Sequence, residues 1–281
     1  MKNNVIVIGK GPAGISCAVY LKRYGLDVII IGRDGGALEK VATIDNYYGF
    51  YNISGKELLE NGYAQAKRLG IEIKSEEVVE ITKEENFSVI TDQNTYEAGY
   101  VVLACGTSRN RFVMAEKFSN VSYCATCDGF FYRKKKIGLI GNSTYMAHEL
   151  SVLENMCKDI TVFTNGLPLD VKMNSNILVV QDKIISVLGE DRIQILKTEK
   201  QEYPIDGLFI ALGQASGYTF AKHLGIETLD SKIVVDQNFQ TNIKGLYACG
   251  DLIGGLLQVA KAVADGANCA TSIQKHIQLN K

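Results

Sequence analysis

The start of the chain contains the feature that most constrains its fold. An apolar, strand-like segment from Val5 to Ile8 runs into Gly9-Lys10-Gly11-Pro12-Ala13-Gly14, and a segment with apolar residues at helical spacing follows. In a strand, turn and helix of this G-x-G-x-x-G kind, the first glycine permits the tight turn and the second lets the backbone approach a pyrophosphate. The third glycine lets helix and strand pack closely. The sequence therefore predicts an α/β domain that binds a dinucleotide at this turn.

A second apolar segment, Asp27 to Ile31, follows and ends in Gly32-Arg33-Asp34. Asp34 lies about twenty residues after the glycines, where an acid that binds a ribose hydroxyl is expected. A solvated acid in a turn is the alternative explanation of Asp34. Both explanations stay open from the sequence.

A pair of cysteines separated by two residues lies in mid-chain, in Tyr123-Cys124-Ala125-Thr126-Cys127-Asp128-Gly129. Such a pair can close a disulfide, and when open it is a dithiol that readily forms thiolates. Asp128, directly after the second cysteine, can give a proton to a leaving thiolate or take one from an attacking thiol. A zinc site needs four ligands, and the chain has neither a second C-x-x-C nor an H-x₃₋₅-H. The pattern therefore indicates redox chemistry and no metal.

Near the other end of the chain, Gly245-Leu246-Tyr247-Ala248-Cys249-Gly250-Asp251 is a short apolar strand that ends in Gly-Asp. A helix-like segment from Leu257 to Ile277 follows it. With these three motifs in this order and spacing over essentially its whole length, the chain resembles the low-molecular-weight thioredoxin reductases. The resemblance implies FAD as the cofactor, thioredoxin as the substrate and a homodimer as the assembly.

The resemblance also implies a role for each residue of the redox segment. Cys127 matches the cysteine closest to the flavin, which accepts its electrons. Cys124 matches the interchange thiol that attacks the disulfide of thioredoxin, and Asp128 matches the acid–base that moves the proton.

For FAD, the resemblance implies that Asp251 contacts the ribityl–pyrophosphate part and that Gln258 to Ala260 lie beside the isoalloxazine. Asn46 matches a flavin-facing loop, and Ala104-Cys105-Gly106-Thr107 resembles the crossover that ends the first segment of the FAD domain. The expected cofactor-binding residues are Gly9, Gly11, Pro12, Ala13, Gly14, Arg33, Asp34, Asn46, Ala104, Gly106, Gly250, Asp251, Gln258, Val259 and Ala260.

The motifs predict two Rossmann-like, three-layer α/β domains, the second inserted in the first. Residues 1–109 with 215–281 are expected to form the FAD-binding domain. Residues 110–214 are expected to form a redox-disulfide domain that resembles a degenerate NADPH-binding domain. A weak internal repeat supports this division, because Ile6 to Gly9 and Gly138 to Gly141 each begin a strand, turn and helix.

The second of these turns departs from the family pattern. NADPH-dependent members carry G-x-G-x-x-A here, whereas only the first glycine of Gly141-Asn142-Ser143-Thr144-Tyr145-Met146 remains. Asn142 and Ser143 place Cβ atoms where close backbone approach is required, and Tyr145 and Met146 add bulk. The next strand of such members ends in a basic cluster that binds the ribose 2′-phosphate, but Ile160 to Pro168 contains no Arg or Lys. The sequence therefore predicts a domain that keeps the fold but not the nicotinamide cofactor.

Electrons must then come from another donor. The chain looks most like the pyridine-nucleotide-independent, ferredoxin-linked flavin thioredoxin reductases, which implies that ferredoxin reduces the FAD. Three alternatives stay open: an NADPH-dependent reductase with an atypical cofactor site, a relative with a second flavin stacked on Tyr145, and a redox sensor that switches a partner. For Tyr145 and Met146 themselves, plain filling of the domain core is the favoured explanation.

Composition is consistent with a cytosolic (cytoplasmic) enzyme. A chain of 281 residues is long enough for two domains, and a formal net charge of −1 argues against nucleic acid as the main partner. No stretch approaches the length of a membrane span, and no signal peptide is evident. The basic run Arg133 to Lys136 is expected to be a solvated turn that can also help to dock an acidic partner. The cysteines outside the pair are expected to be small buried hydrophobes: Cys17, Cys105, Cys157, Cys249 and Cys269.

Overall fold

The chain divides into two compact units in the computed structural model, which describes residues 4–107, 112–173, 177–213, 217–230 and 232–279. Unit 1 is Met1–Ser108 with Ser216–Lys281, and unit 2 is Arg109–Ala215. The domain boundaries expected at 109/110 and 214/215 lie outside the described residues. The assignment of FAD to one unit and of the disulfide chemistry to the other stays a prediction.

The first part of unit 1 begins with the expected strand, turn and helix. Pro12 occupies the start of the first helix, where its fixed φ suits the helix and its missing N–H leaves no bond unmade. The second helix starts at Ser54, whose side chain accepts a hydrogen bond from the backbone N–H of Glu57. The elements are β1 (Asn4–Ile8), α1 (Pro12–Arg23), β2 (Asp27–Ile31), α2 (Gly55–Arg68), β3 (Glu72–Lys74), β4 (Val78–Lys83), β5 (Phe87–Thr91), β6 (Thr95–Ala98) and β7 (Tyr100–Leu103).

Unit 2 follows with a second strand, turn and helix at its centre. Its elements are β8 (Val121–Ser122), α3 (Ala125–Asp128), β9 (Lys136–Ile140), α4 (Thr144–Glu154), β10 (Asp159–Phe163), β11 (Leu178–Val180), β12 (Ile184–Gly189), β13 (Ile193–Thr198), β14 (Glu202–Pro204) and β15 (Gly207–Ile210). The chain then completes unit 1 with α5 (Gly217–Leu224), β16 (Thr228–Leu229), β17 (Lys232–Ile233), β18 (Leu246–Ala248) and α6 (Val259–Leu279).

The two parallel sheets share one spatial order of strands, although the edge strand β18 comes last along the chain in unit 1 and its counterpart β8 comes first in unit 2. The parallel sheet of unit 1 has the strand order β18-β7-β1-β2-β3, and that of unit 2 has the corresponding order β8-β15-β9-β10-β11. Each unit adds a three-stranded antiparallel sheet along the chain: β4-β5-β6 lies between β3 and β7 in unit 1, and β12-β13-β14 lies between β11 and β15 in unit 2. The internal repeat seen in the sequence therefore extends to four of the five strands of each parallel sheet, and the predicted α/β fold with Rossmann-type parallel sheets is confirmed.

The core of unit 1 lies where α1 and α6 pack against the sheet. Gly266 in α6 permits this close approach, because a Cβ at that position would overlap the carbonyl oxygen of Ala13. The expectation of buried cysteines holds for four of the five and is wrong for Cys105, which is half-buried in the loop after β7. Among the described residues, every helix is too short or too polar to cross a bilayer.

Candidate active site

The two cysteines of the redox segment are joined by a disulfide in unit 2. Cys124 follows the short strand β8 and precedes α3, so the pair lies on a tight turn with its Cα atoms 5.3 Å apart. The Sγ of Cys124 accepts a hydrogen bond from the backbone N–H of Cys127 at 2.9 Å. Cys124 is buried and Cys127 is half-buried. Thus a backbone N–H already points at the atom that would carry the charge of a Cys124 thiolate.

A buried hydroxyl links Asp128 to this turn. The Oγ of Ser122 donates to Oδ2 of Asp128 at 2.6 Å and accepts from the backbone N–H of Cys124 at 3.1 Å. Ser122 is the last residue of β8, so the sheet fixes its position. The hydroxyl therefore holds the acid beside the redox pair, and the sequence analysis did not identify it.

A second buried polar group contacts the turn from α4. Oε2 of Glu149 accepts a hydrogen bond from the backbone N–H of Ala125 at 2.6 Å, and the Glu149 side chain is 2% exposed. Ala125 is the residue directly after Cys124. The sequence analysis missed Glu149 as well, because only the fold brings it to the turn.

In unit 1, the first turn has the shape that a pyrophosphate requires. Gly9 has a φ of +112°, and a Cβ there would overlap the carbonyl oxygen of Ala104. A Cβ at Gly14 would overlap the carbonyl oxygen of Gly9, so α1 can pack this closely only with glycine. At Gly11, by contrast, a Cβ would meet only the carbonyl oxygen of Gly35, at 3.8 Å. The middle glycine thus faces open space, as a ligand-binding turn needs.

The Gly250–Asp251 turn lies against the start of α1. A Cβ at Gly250, which has a φ of +74°, would lie 2.8 Å from the Cβ of Ala13. Burial raises the pKa of the Asp251 carboxyl, an effect that Lys261 opposes. Two expected groups of cofactor residues, the first turn and this late turn, are therefore neighbours at the carboxyl edge of the parallel sheet.

A lysine and an aspartate of α6 hold the late turn in place. Nζ of Lys261 donates to the carbonyl oxygen of Gly250 at 2.9 Å and pairs with Oδ2 of Asp265 at 2.6 Å. The same carboxylate oxygen accepts from the backbone N–H of Gly250 at 3.1 Å. Lys261 and Asp265 were not predicted from the sequence, although opposite charges four residues apart in a helix indicate an ion pair.

The remaining expected residues join the same region of unit 1. Nδ2 of Asn46 donates to Oε1 of Gln258 at 2.8 Å, which brings the proposed flavin-facing loop to the start of α6, where Val259 and Ala260 lie. Ala104 and Gly106 follow β7, the strand beside β1.

At the end of β2, Arg33 and Asp34 engage other residues of unit 1. The guanidinium of Arg33 pairs with Glu77 at 2.8 Å, and Oδ1 of Asp34 accepts from the backbone N–H of Gly36 at 2.9 Å. Burial raises the pKa of the Glu77 carboxyl, and the charge of Arg33 opposes this. Asp34 thus makes the turn contact that was its alternative explanation, and a role in ribose binding stays a prediction.

Lys10, the second residue of the glycine-rich turn, is a buried cation that sequence reasoning did not select. Its side chain is 9% exposed, and Nζ donates to Oγ of Ser75 at 3.1 Å. Its position in the motif could have indicated a role in binding an anion, because a lysine inside a phosphate-binding turn offers a positive charge.

The equivalent turn of unit 2 is filled by its own side chains. Oγ of Ser143 donates to the carbonyl oxygen of Gly213, and Nδ2 of Asn142 donates to that of Pro168 at 3.0 Å. Tyr145 and Met146 lie in the core of unit 2, which confirms the core-filling explanation of both side chains. The hydroxyl of Tyr145 donates to the carbonyl oxygen of Tyr123 at 3.3 Å. This turn therefore has no counterpart of the open space at Gly11.

Comparison with known proteins agrees with this arrangement. Residues 3–266 match the family model described as pyridine nucleotide-disulphide oxidoreductase. The thioredoxin reductase of Helicobacter pylori is 30% identical over 304 residues, which cover 97% of this chain and 98% of that protein. The atypical thioredoxin reductase TRi from Desulfovibrio vulgaris Hildenborough superposes with a TM-score of 0.92 at 32% identity, covering 99% of this chain and 98% of that one. A ferredoxin-flavin thioredoxin reductase from Clostridium acetobutylicum gives a TM-score of 0.77 at 30% identity, with the same coverage.

The fold, the disulfide and the family match together define a class of flavoenzymes that act on disulfides. The chain belongs to the pyridine nucleotide-disulphide oxidoreductases and, within them, to the thioredoxin reductase family. Thioredoxin reductases of this type are FAD-dependent disulfide oxidoreductases. The residues of unit 1 fit this cofactor, because the open space at Gly11 and the neighbouring turn at Gly250 form a cradle that side chains would block.

Proposed function

We propose that this protein reduces thioredoxin through Cys124 and Cys127 with electrons that reach FAD from reduced ferredoxin, and not from NADPH or NADH. The observation that carries the proposal is the filled turn of unit 2. Ser143 and Asn142 turn their side chains back onto carbonyl oxygens of the protein, where a nicotinamide dinucleotide would need a bare backbone.

The loop after β10 supports the same conclusion. Between Ile160 and Pro168 the chain has no Arg or Lys to pair with a ribose 2′-phosphate. Thr164 and Asn165 use their side chains within the protein, on the carbonyl oxygen of Leu167 and the backbone N–H of Ile184. Losing a charge-assisted contact costs about 1.5–3 kcal/mol, or about ten- to a hundredfold in affinity.

Bound FAD would supply the chemistry that joins a one-electron donor such as ferredoxin to the two-electron reduction of a disulfide. The glycine-rich turn and the Gly250–Asp251 turn would hold this cofactor. Cys127 receives the electrons, and Cys124 leaves as a thiolate that the N–H of Cys127 stabilises. Asp128, held by Ser122, moves the proton. Cys124 then attacks the disulfide of thioredoxin, whose S–S bond breaks to give a mixed disulfide and one thiol that takes the proton from Asp128. Cys127 displaces the second thioredoxin thiol as the Cys124–Cys127 disulfide forms again. The first attack requires a conformation in which the buried sulfur of Cys124 becomes accessible.

A pair of exposed aromatic side chains supports a protein as the substrate. Phe130 and Phe131, directly after the redox segment, are 58% and 69% exposed. Exposed phenylalanines beside a reactive group are typical of protein docking surfaces. The guanidinium of Arg133 lies 4.4 Å from the ring centroid of Phe130 and gives this surface a positive edge. The proposal also includes a homodimer in the cytoplasm, as the family resemblance implies.

The decisive experiment is anaerobic stopped-flow reduction of the purified, FAD-loaded protein. Reduced ferredoxin should bleach the flavin and then reduce thioredoxin, because the donor needs no nucleotide site. NADPH and NADH at micromolar concentration should leave the flavin oxidised, while an NADPH-dependent thioredoxin reductase in the same apparatus is bleached as the control.

Each alternative predicts a different result, either in this experiment or in a count of the flavins bound to the purified protein. Rapid bleaching by NADPH would overturn the proposed donor and favour a reductase with an atypical nucleotide site. Two flavins per chain would favour a second flavin in unit 2. Flavin reduction by ferredoxin without any turnover of thioredoxin would favour the redox sensor.

A further inference from the structure

We propose that Glu149 is a positioning residue that keeps the reduction potential of the Cys124–Cys127 couple low, by holding a buried negative charge against the redox turn. The inference rests on the proposed function only in taking these two cysteines as the redox pair. It does not depend on the electron donor.

The Glu149 carboxylate contacts the peptide group between Cys124 and Ala125, at the start of α3. Oε2 of Glu149 accepts from the N–H of Ala125 at 2.6 Å, a short distance of the kind that an ionised acceptor gives. The N–H of Cys127, in the same turn, points at Sγ of Cys124 at 2.9 Å. The Glu149 carboxylate and a Cys124 thiolate therefore both accept hydrogen bonds from backbone N–H donors of the same turn.

Burial strengthens the electrostatic interaction between the Glu149 carboxylate and a Cys124 thiolate. Glu149 is 2% exposed and Cys124 is fully buried, so water screens the two groups weakly. The disulfide is neutral, whereas the reduced pair carries a negative charge when Cys124 is a thiolate. A fixed negative charge nearby disfavours only the reduced form. The couple consequently releases its electrons more readily, which suits a group that must reduce another protein's disulfide.

The equilibrium with dithiothreitol measures this effect directly. Reduced dithiothreitol gives two electrons and two protons, the Cys124–Cys127 bond breaks, and dithiothreitol closes to its cyclic disulfide. Above the pKa of the released thiol, one proton passes on to the buffer. The measurement uses the FAD-loaded protein, equilibrated in mixtures of reduced and oxidised dithiothreitol at mildly alkaline pH, quenched with acid and alkylated, with the reduced fraction counted by mass.

Glu149→Gln keeps an oxygen acceptor for Ala125 but removes the charge. We expect the equilibrium constant for reduction to rise about tenfold, equivalent to about 30 mV for a two-electron couple. The matched control is Glu154→Gln, the same chemical change on an exposed side chain of the same helix, and it should leave the constant unchanged. A Glu149→Gln couple that equals the wild type would overturn the proposal, whichever donor reduces the flavin.

Glu149→Asp extends the test should the Gln variant lose its fold. It keeps the charge but withdraws it from the Ala125 amide by one methylene group. The constant should then rise about two- to threefold, in the same direction as for Gln, because the Coulomb energy falls with distance. A constant identical to that of the wild type, or lower, contradicts the inference.

Discussion

One hydroxyl group connects the proposed proton-transfer residue with the backbone of the redox pair. Ser122 is buried, and its single proton goes to Asp128 while its oxygen receives the N–H of Cys124. Both partners thus depend on one atom of one residue.

Ser122→Ala should therefore lower the turnover of thioredoxin by about tenfold, since a positioned acid–base contributes about a hundredfold or more and the variant loosens it without removing it. It should also lower the free energy of unfolding by about 1–3 kcal/mol, because a buried N–H loses its acceptor. Steady-state kinetics and urea denaturation measure the two effects. Ser151→Ala, which removes an exposed hydroxyl from α4, is the control. Wild-type turnover in Ser122→Ala would show that Asp128 needs no such support.

At the residue scale, the sequence predicts those functional residues that are close together in one recognisable motif. Cys124, Cys127 and Asp128 lie within one five-residue motif, so the sequence alone indicates their chemistry. Glu149 lies 24 residues from the amide it binds, and nothing in the pattern of α4 distinguishes it from a surface acid. Its role follows from burial, and burial is a property of the fold.

At the scale of elements, the two strand–turn–helix units show what a phosphate-binding turn requires. Unit 1 keeps all three glycines and leaves space at the middle one, whereas unit 2 closes the same turn with Asn142 and Ser143. The shared sheet order shows that the fold tolerates both versions. We therefore expect the turn, and not the sheet, to decide whether a unit binds a dinucleotide.

Gly11→Ala tests the open turn. The backbone of Gly11 has a φ of −77°, which any residue adopts, and a Cβ there would meet only one atom, at 3.8 Å. The FAD-free protein should thus keep its melting temperature, while FAD affinity should fall at least tenfold because the methyl group occupies the space of the pyrophosphate. Fluorescence titration with FAD and thermal unfolding of the apoprotein measure both quantities.

Gly14→Ala is the matched comparison for this prediction. Its Cβ would overlap a backbone carbonyl oxygen, so that variant should lose stability as well as FAD. If Gly11→Ala bound FAD with unchanged affinity, the pyrophosphate of FAD would not lie at this turn.

Elements with a strong local pattern could be predicted, and those that depend on a partner strand could not. The strand-like segment expected from Val5 to Ile8 is found at Asn4–Ile8, and the one at Asp27–Ile31 has the expected bounds. The helix-like segment expected from Leu257 to Ile277 is found at Val259–Leu279. Thr95–Ala98 was missed because its four residues carry little periodicity and their pairing with β5 supplies the hydrogen bonds. The same holds for the antiparallel strands of unit 2.

At the scale of the whole molecule, charge is nearly balanced but unevenly distributed. The net charge is −1, yet four consecutive cations from Arg133 to Lys136 are exposed, with one residue between them and the aromatic pair Phe130 and Phe131. A local positive surface on a nearly neutral protein attracts an acidic partner to one place. Such attraction acts mainly on the rate of association.

The double variant Lys134→Glu/Lys135→Glu should therefore lower kcat/KM for an acidic thioredoxin by about three- to tenfold at low ionic strength, with kcat little changed. The difference should shrink as salt is added, because the Debye length falls to about 8 Å at physiological ionic strength and less above it. Lys56→Glu/Lys67→Glu is the matched control, since it changes the net charge equally on exposed positions of α2 in unit 1. Equal losses in both double variants would mean that net charge alone steers the partner. A loss that persists at high salt would mean that these lysines make specific contacts instead.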